Sequence, residues 1–140
     1  MDRLIEKIME KKSPIAVGLD TRLETVPDFL IRKHRTKDSL DFHGAAKAIL
    51  EFNKGIIDGI VDLVPAVKLQ LACYELYGVE GMKAFCDTVR YAKQKGLIVI
   101  GDGKRNDIGS TAKAYSAAYL GKTPLPGKEE RAFETDMMTV

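Results

Sequence analysis

The chain has no tryptophan, two cysteines and two histidines in 140 residues, and it carries neither a long apolar run nor a surplus of one charge. Each scarcity removes a class of function. Cys73 and Cys86 form no CxxC pair, and no His-x-x-x-His accompanies them, so zinc sites and disulfide scaffolds lack the residues they need. Two reduced, packed thiols are expected instead. No window approaches the roughly 18 uninterrupted apolar residues of a membrane span. The opening MDRLIEKIMEKK breaks its apolar residues with charge where a secretory leader would keep them together, so a cytoplasmic protein is expected. The formal charge of +2 is too small and too evenly spread to name a nucleic acid or another polyanion as partner.

Several catalytic signatures are missing too. Gly101 and Gly103 begin a GxGxxG pattern, but Asn106 stands where the third glycine belongs. Gly121-Lys122-Thr123 would close a P-loop only with glycine at 116, which is Ser116. There is no GxSxG elbow and no HExxH, and His34 and His43 have no partner at ligand spacing. The basic run Arg32-Lys33-His34-Arg35-Thr36-Lys37 reads as a solvated loop or as a contact for phosphate.

What is present is a strand and helix alternation. Leu4, Ile5, Ile8 and Met9 share one helical face, and Ile15-Ala16-Val17-Gly18-Leu19 reads as a buried strand that delivers Asp20 at its C-terminal end. Residues 21–40 have no sustained period and are expected to be an insertion loop with about one helical turn. Phe42, Ala45, Ala46, Ile49, Ile56, Ile57 and Ile60 mark a long amphipathic helix. Asn53 falls on its apolar face, as a satisfied buried amide or as a group reaching toward a site. Ala66-Val67-Lys68-Leu69-Gln70 is a second strand. Val79, Met82, Phe85, Cys86 and Val89 stripe a helix that stops at Gly96, which places Cys86 in the core. Leu97-Ile98-Val99-Ile100 is a third strand, 108–120 a further helix, 121–127 a breaker loop, and 136–140 a fourth strand. Such a repeat predicts a parallel sheet with right-handed crossovers and functional residues at the C-terminal strand ends.

Asp20, Lys68, Asp102 and Lys104 all occupy such ends. Residues i and i+2 at a strand end face the same side about 6 to 7 Å apart, so Asp102 and Lys104 are expected to form a buried ion pair. Taken alone, Asp102, Lys104 and Asp107 are a polar turn. Lys68 and Asp20 change that balance, because four charges in one mouth require a shared purpose. Alternating carboxylates and lysines would keep a lysine protonated, strain a substrate carboxylate and supply a proton to a developing carbanion.

Three stretches resemble the orotidine 5'-phosphate decarboxylases, particularly their longer bacterial and archaeal-type branch. They are Gly18-Leu19-Asp20, the segment from Asp58 to Gln70 with its Val64-Pro65-Ala66-Val67-Lys68 centre, and Asp102-x-Lys104-x-x-Asp107-Ile108-x-x-Thr111. The resemblance covers essentially the whole chain. It implies a TIM (β/α)8 barrel and conversion of orotidine 5'-monophosphate to UMP and CO2, the last step of pyrimidine nucleotide synthesis, without metal or organic cofactor. It implies that Lys104 protonates C6, that Asp102 faces the substrate carboxylate, and that Lys68 joins it to the ribose. Asp107 would reach into the site of a second subunit, with Ile108 and Thr111 following it across the interface of a homodimer, and Asp20 would hold a ribose hydroxyl.

A complete barrel takes eight strands and about 250 residues. Residues 1–140 are therefore expected to supply the first four β/α units of a single domain, with the catalytic charges but without the later loops that grip phosphate and pyrimidine. The alternatives are a sugar-phosphate decarboxylase or aldolase of the same barrel suite that uses Mg2+, and a catalytically inactive half-barrel. Lysine at 68 favours the nucleotide enzyme.

Overall fold

The computed structural model describes residues 1–37 and 39–140. The elements run α1 (Asp2–Lys11), β1 (Ala16–Gly18), a 3-10 turn (Leu23–Thr25), α2 (Asp28–His34), α3 (Phe42–Ile60), β2 (Ala66–Gln70), α4 (Leu71–Glu75), α5 (Gly78–Gln94), β3 (Ile98–Asp102), α6 (Gly109–Tyr119), β4 (Thr123–Leu125), β5 (Lys128–Glu130) and β6 (Met137–Met138). Among them β1, β2, β3 and β6 form one parallel sheet in sequence order. Its register sets Gly18 beside Lys68 and Gln70 beside Asp102, so the C-terminal strand ends lie side by side.

The two faces of the sheet differ because strand side chains alternate. Val67, Leu69 and Val99 point to the helices and are fully buried against Ile49 and Ile57 of α3 and Phe85 and Val89 of α5. Burying each such side chain contributes about 1.5 to 3 kcal/mol. Lys68, Gln70, Ile100 and Asp102 take the opposite face and remain partly open. Asp41 caps α3 by accepting from the Gly44 N–H at 2.8 Å. Gly81 lets α5 pass directly against α4, since a Cβ there would overlap the Tyr74 carbonyl oxygen.

Several expectations are corrected. Within residues 1–140, β1 pairs only with β2, so Ile15, Ala16 and Gly18 of the expected buried run are exposed while Leu19 is buried. Residues 21–40 are more than a loop. Their 3-10 turn and α2 bury Val26 and Leu30, α2 packs on α3, and residue 38 of this stretch lies outside the described residues. Arg32, Lys33 and His34 form the last turn of α2, where cations suit the helix dipole. Lys33 and His34 both contact Glu51 at 2.7 Å, which uses part of the basic run in holding α2 to α3. The breaker segment contains β4, which pairs antiparallel with β5 across a turn where Gly127 has φ of 79°. Val79 and Phe42 leave their apolar stripes for solvent, and Cys86 is half-buried rather than in the core. The apolar face of α1 buries no residue. Arg3 reaches Asp136 at 3.2 Å, which sets α1 at the N-terminal end of the sheet, away from the charged strand ends. Among the described residues no helix is long and apolar enough to cross a membrane.

Candidate active site

The strand ends gather charge in a fixed order. Lys68, the middle residue of β2 rather than its end, lies 2.5 Å from Asp20 Oδ2 and 3.6 Å from Asp102 Oδ2. Lys104 Nζ donates to Asp102 Oδ1 at 3.0 Å. The sequence along the mouth is thus Asp20, Lys68, Asp102, Lys104, with opposite signs adjacent throughout. Asp20 also accepts from the Gln70 N–H at 3.2 Å, so the turn after β1 is tied to β2 by backbone as well as by charge.

Asp102 is the hub. Besides the two lysines, its carboxylate accepts from Gln70 Nε2 at 3.0 Å and from Thr139 Oγ1 at 2.9 Å. The Lys104 ammonium first, then the Thr139 hydroxyl, hold the Asp102 carboxyl below the usual carboxylate range, and the Coulomb attraction of Lys104 and Lys68 acts the same way. A carboxylate so heavily supplied with donors stays ionised with only 17% of its side chain exposed.

Lys104 sits just beyond β3 with φ of 50°, a left-handed conformation that costs a non-glycine residue roughly 1 to 2 kcal/mol. Two bonds hold it there: the Lys104 N–H donates to Thr139 Oγ1 at 3.1 Å and the Arg105 N–H to the Thr139 carbonyl at 3.1 Å. Thr139, directly after β6, therefore grips the Lys104 backbone and the Asp102 carboxylate with a single side chain. Arg105 is in turn paired with Glu75, the last residue of α4.

The expected Asp102–Lys104 pair forms, but it is not buried. The lysine side chain is 68% exposed, because residue 104 lies on a loop over the open strand ends rather than within β3. The structure brings together Asp20, Lys68, Asp102 and Lys104 of the expected site. It sets apart Asp107, Ile108 and Thr111. The Asp107 carboxylate accepts from the Ile108 N–H at 2.7 Å and meets neither Lys68 nor Lys104. Ile108 is 86% exposed, and Thr111 is exposed in the first turn of α6. Beside them a pocket of about 340 Å³ opens between Asn106, Asp107, Tyr115 and Val140.

Gln70 and Thr139 were not among the expected site residues. Gln70 could have been found from period two, since it follows Lys68 by two positions on the same strand face. Thr139 carried no comparable signal, because a threonine in a short apolar run reads as strand propensity. Among the described residues no three His, Cys, Asp or Glu side chains converge as a metal-holding group. Asp20 and Asp102 have the Lys68 ammonium between them, in the place a shared cation would take.

Comparison with known proteins adds an independent line. The family model described as "Orotidine 5'-phosphate decarboxylase / HUMPS family" matches residues 15–140. The orotidine 5'-phosphate decarboxylase of Caldicellulosiruptor saccharolyticus is 44% identical over 138 residues, covering 99% of this chain and 45% of the relative. That of Petrotoga mobilis is 41% identical over 140 residues, covering 100% of this chain and 42% of the relative. The chain thus spans less than half the length of these curated relatives. Among solved structures, the OMP decarboxylase of Leishmania donovani superposes with a TM-score of 0.62 at 27% identity, over 85% of this chain and 38% of that one. The orotidine 5'-monophosphate decarboxylase of Plasmodium berghei, at 18% identity, shares the fold with a TM-score of 0.70 over 83% of this chain and 47% of that one. The four-stranded parallel arc with its alternating helices is part of the (β/α)8 barrel that these neighbours have. By the match of residues 15–140, by its relatives and by its fold, the chain belongs to the orotidine 5'-phosphate decarboxylase / HUMPS family.

Proposed function

We propose that the protein decarboxylates orotidine 5'-monophosphate to UMP and CO2, and that residues 1–140 supply the catalytic charges of a single barrel domain. The observation that carries the reading is the alternating array, with Lys68 between Asp20 and Asp102 and Lys104 3.0 Å beyond. With the substrate carboxylate placed beside Asp102, like charges oppose each other in the ground state and separate as CO2 leaves. The bond from C6 to the carboxylate breaks and its electron pair stays on C6. A proton from the Lys104 ammonium then forms the new C–H bond, leaving the amine to be reprotonated from solvent. Lys68 balances Asp102 and Asp20, and Asp20 holds a ribose hydroxyl.

Asp107, Ile108 and Thr111 are assigned to a second subunit's site in a homodimer. The exposure of Ile108 and the absence of Asp107 from this chain's own charge array support that assignment. The substrate is a small molecule, and the near-neutral formal charge of +2 gives no footing for a nucleic acid or membrane surface. A cytoplasmic location accords with the pathway.

The second reading is a Mg2+-dependent sugar-phosphate enzyme of the same family. The position of the Lys68 ammonium between the two carboxylates favours the nucleotide reaction over it. The test is UMP formation from orotidine 5'-monophosphate by the intact protein in EDTA. Turnover is expected, whereas strict dependence on added Mg2+ would favour the second reading.

A further inference from the structure

Behind the charged mouth lies a second polar cluster, closed to solvent, that the proposed reaction does not use. Asn53 of α3 is fully buried among apolar residues. Its Oδ1 accepts from Thr21 Oγ1 at 2.5 Å, and its Nδ2 donates to Tyr74 Oη at 3.0 Å and Thr88 Oγ1 at 3.3 Å. The Tyr74 hydroxyl passes its own proton to the Leu19 carbonyl at 2.9 Å, and Thr88 donates to the Ala84 carbonyl at 2.7 Å. Every member has a partner: Thr21 in the turn after β1 donates to Asn53, and Asn53 donates onward through Tyr74 to the Leu19 carbonyl and through Thr88 to the Ala84 carbonyl. Burial pushes the Tyr74 hydroxyl well above its ordinary range, so it stays a neutral donor.

The two ends of this network fall on Leu19 and Thr21, the residues on either side of Asp20. Leu19 is held on its other side by its N–H to the Lys68 carbonyl at 2.7 Å. Asp20 itself is a partly exposed side chain on a turn, which a free loop would leave mobile. Here the backbone before it and the residue after it are both anchored to a single buried amide.

We propose that Asn53 is a positioning residue for Asp20, acting through Thr21 on one side and through Tyr74 and the Leu19 carbonyl on the other. Its role is to hold the Asp20 carboxylate where it meets both Lys68 and the ribose of the substrate. The kinetic consequence rests on the proposed decarboxylase reading, while the structural consequence does not. A 1 Å displacement of a group that orients substrate is sufficient to cost up to about 100-fold in rate.

The experiment uses the intact protein with two substitutions that keep shape and delete one link each, Thr21→Val and Tyr74→Phe, with Thr21→Ser as the conservative rescue. For both deletions KM for orotidine 5'-monophosphate is expected to rise roughly fivefold to tenfold with kcat within about twofold, Thr21→Ser restoring KM. In an Asp20→Ala background the same substitutions should add nothing further, because the group they position is gone. Crystal structures of the two variants should have the Asp20 carboxylate displaced from Lys68. Additive effects in the Asp20→Ala background, or unchanged KM with Asp20 in place and only a lower melting temperature, would overturn the inference. Failure of the functional reading looks different: the parent protein would not turn over the substrate, yet Asp20 would still shift in both variants. Should one variant fail to fold, the other decides alone.

Discussion

Two polar clusters meet at the turn from Leu19 to Thr21, and they are built on opposite terms. The cluster around Asn53 is neutral and closed, and each of its hydrogen bonds has a partner. The cluster around Asp102 is charged and half open, with Lys104 largely in solvent and Lys68 shared by two carboxylates. A neutral buried network stabilises one arrangement of the chain, because any break leaves a desolvated group unpaired. Four charges packed at one strand mouth contribute little net stability for their desolvation. Their geometry is therefore to be understood from what they do to a bound molecule, and the neutral cluster from how firmly it holds the frame around them.

That contrast breaks most sharply at Lys104. Lys104→Ala in the intact protein should lower kcat on the order of 10³-fold, the range of a lost general acid, while UMP binding stays measurable by calorimetry. Its melting temperature should barely move, since the side chain is mostly exposed. Mixing Lys104→Ala with Asp107→Ala subunits should restore part of the activity through one intact hybrid site, which a coupled assay on isolated heterodimers would detect. Asn53→Leu should do the reverse and destabilise the fold by about 2 to 3 kcal/mol in urea denaturation, because Thr21, Tyr74 and Thr88 lose their common partner.

A smaller effect sharpens the electrostatic side. Donors from Lys104 and Thr139 depress the Asp102 pKa, so the folded state binds the proton less tightly than the unfolded chain. The stability this contributes is fully present above the unfolded carboxylate value near pH 4, and it is lost as pH falls through the lower folded value. Asp102→Asn should therefore flatten the acid limb of a plot of melting temperature against pH and leave its neutral part nearly level. The smallest effect belongs to the surface. Lys95→Ala removes an exposed pair with Asp58 and should leave both melting temperature and activity within experimental error.

Much of this frame is legible in the sequence. Charge at the far end of short apolar runs located Lys68 and Asp102, period two joined Asp102 to Lys104, and the strand and helix repeat placed them on one parallel sheet. The apolar run Ile15 to Leu19 was legible as a strand, but which of its residues are covered depends on the strands that flank it, and within residues 1–140 only β2 does. The structure of residues 21–40 was missed for a related reason: Val26 and Leu30 are too few to set a period, and it is packing on α3 that makes α2 a helix. Lys104 could be named but not its left-handed backbone, since that conformation is imposed by Thr139, some thirty-five residues away. Asn53 was readable as a satisfied amide. Its link to Asp20 was not, because that link runs through Tyr74 and Thr21 in three dimensions.

The most direct test of the central claim is the rate of UMP formation from orotidine 5'-monophosphate by the intact protein in EDTA, measured side by side with Lys104→Ala. The account predicts turnover without added metal in the first and its loss in the second, with UMP still bound by both. Turnover by Lys104→Ala at near the parent rate, or none by the parent protein, would contradict it.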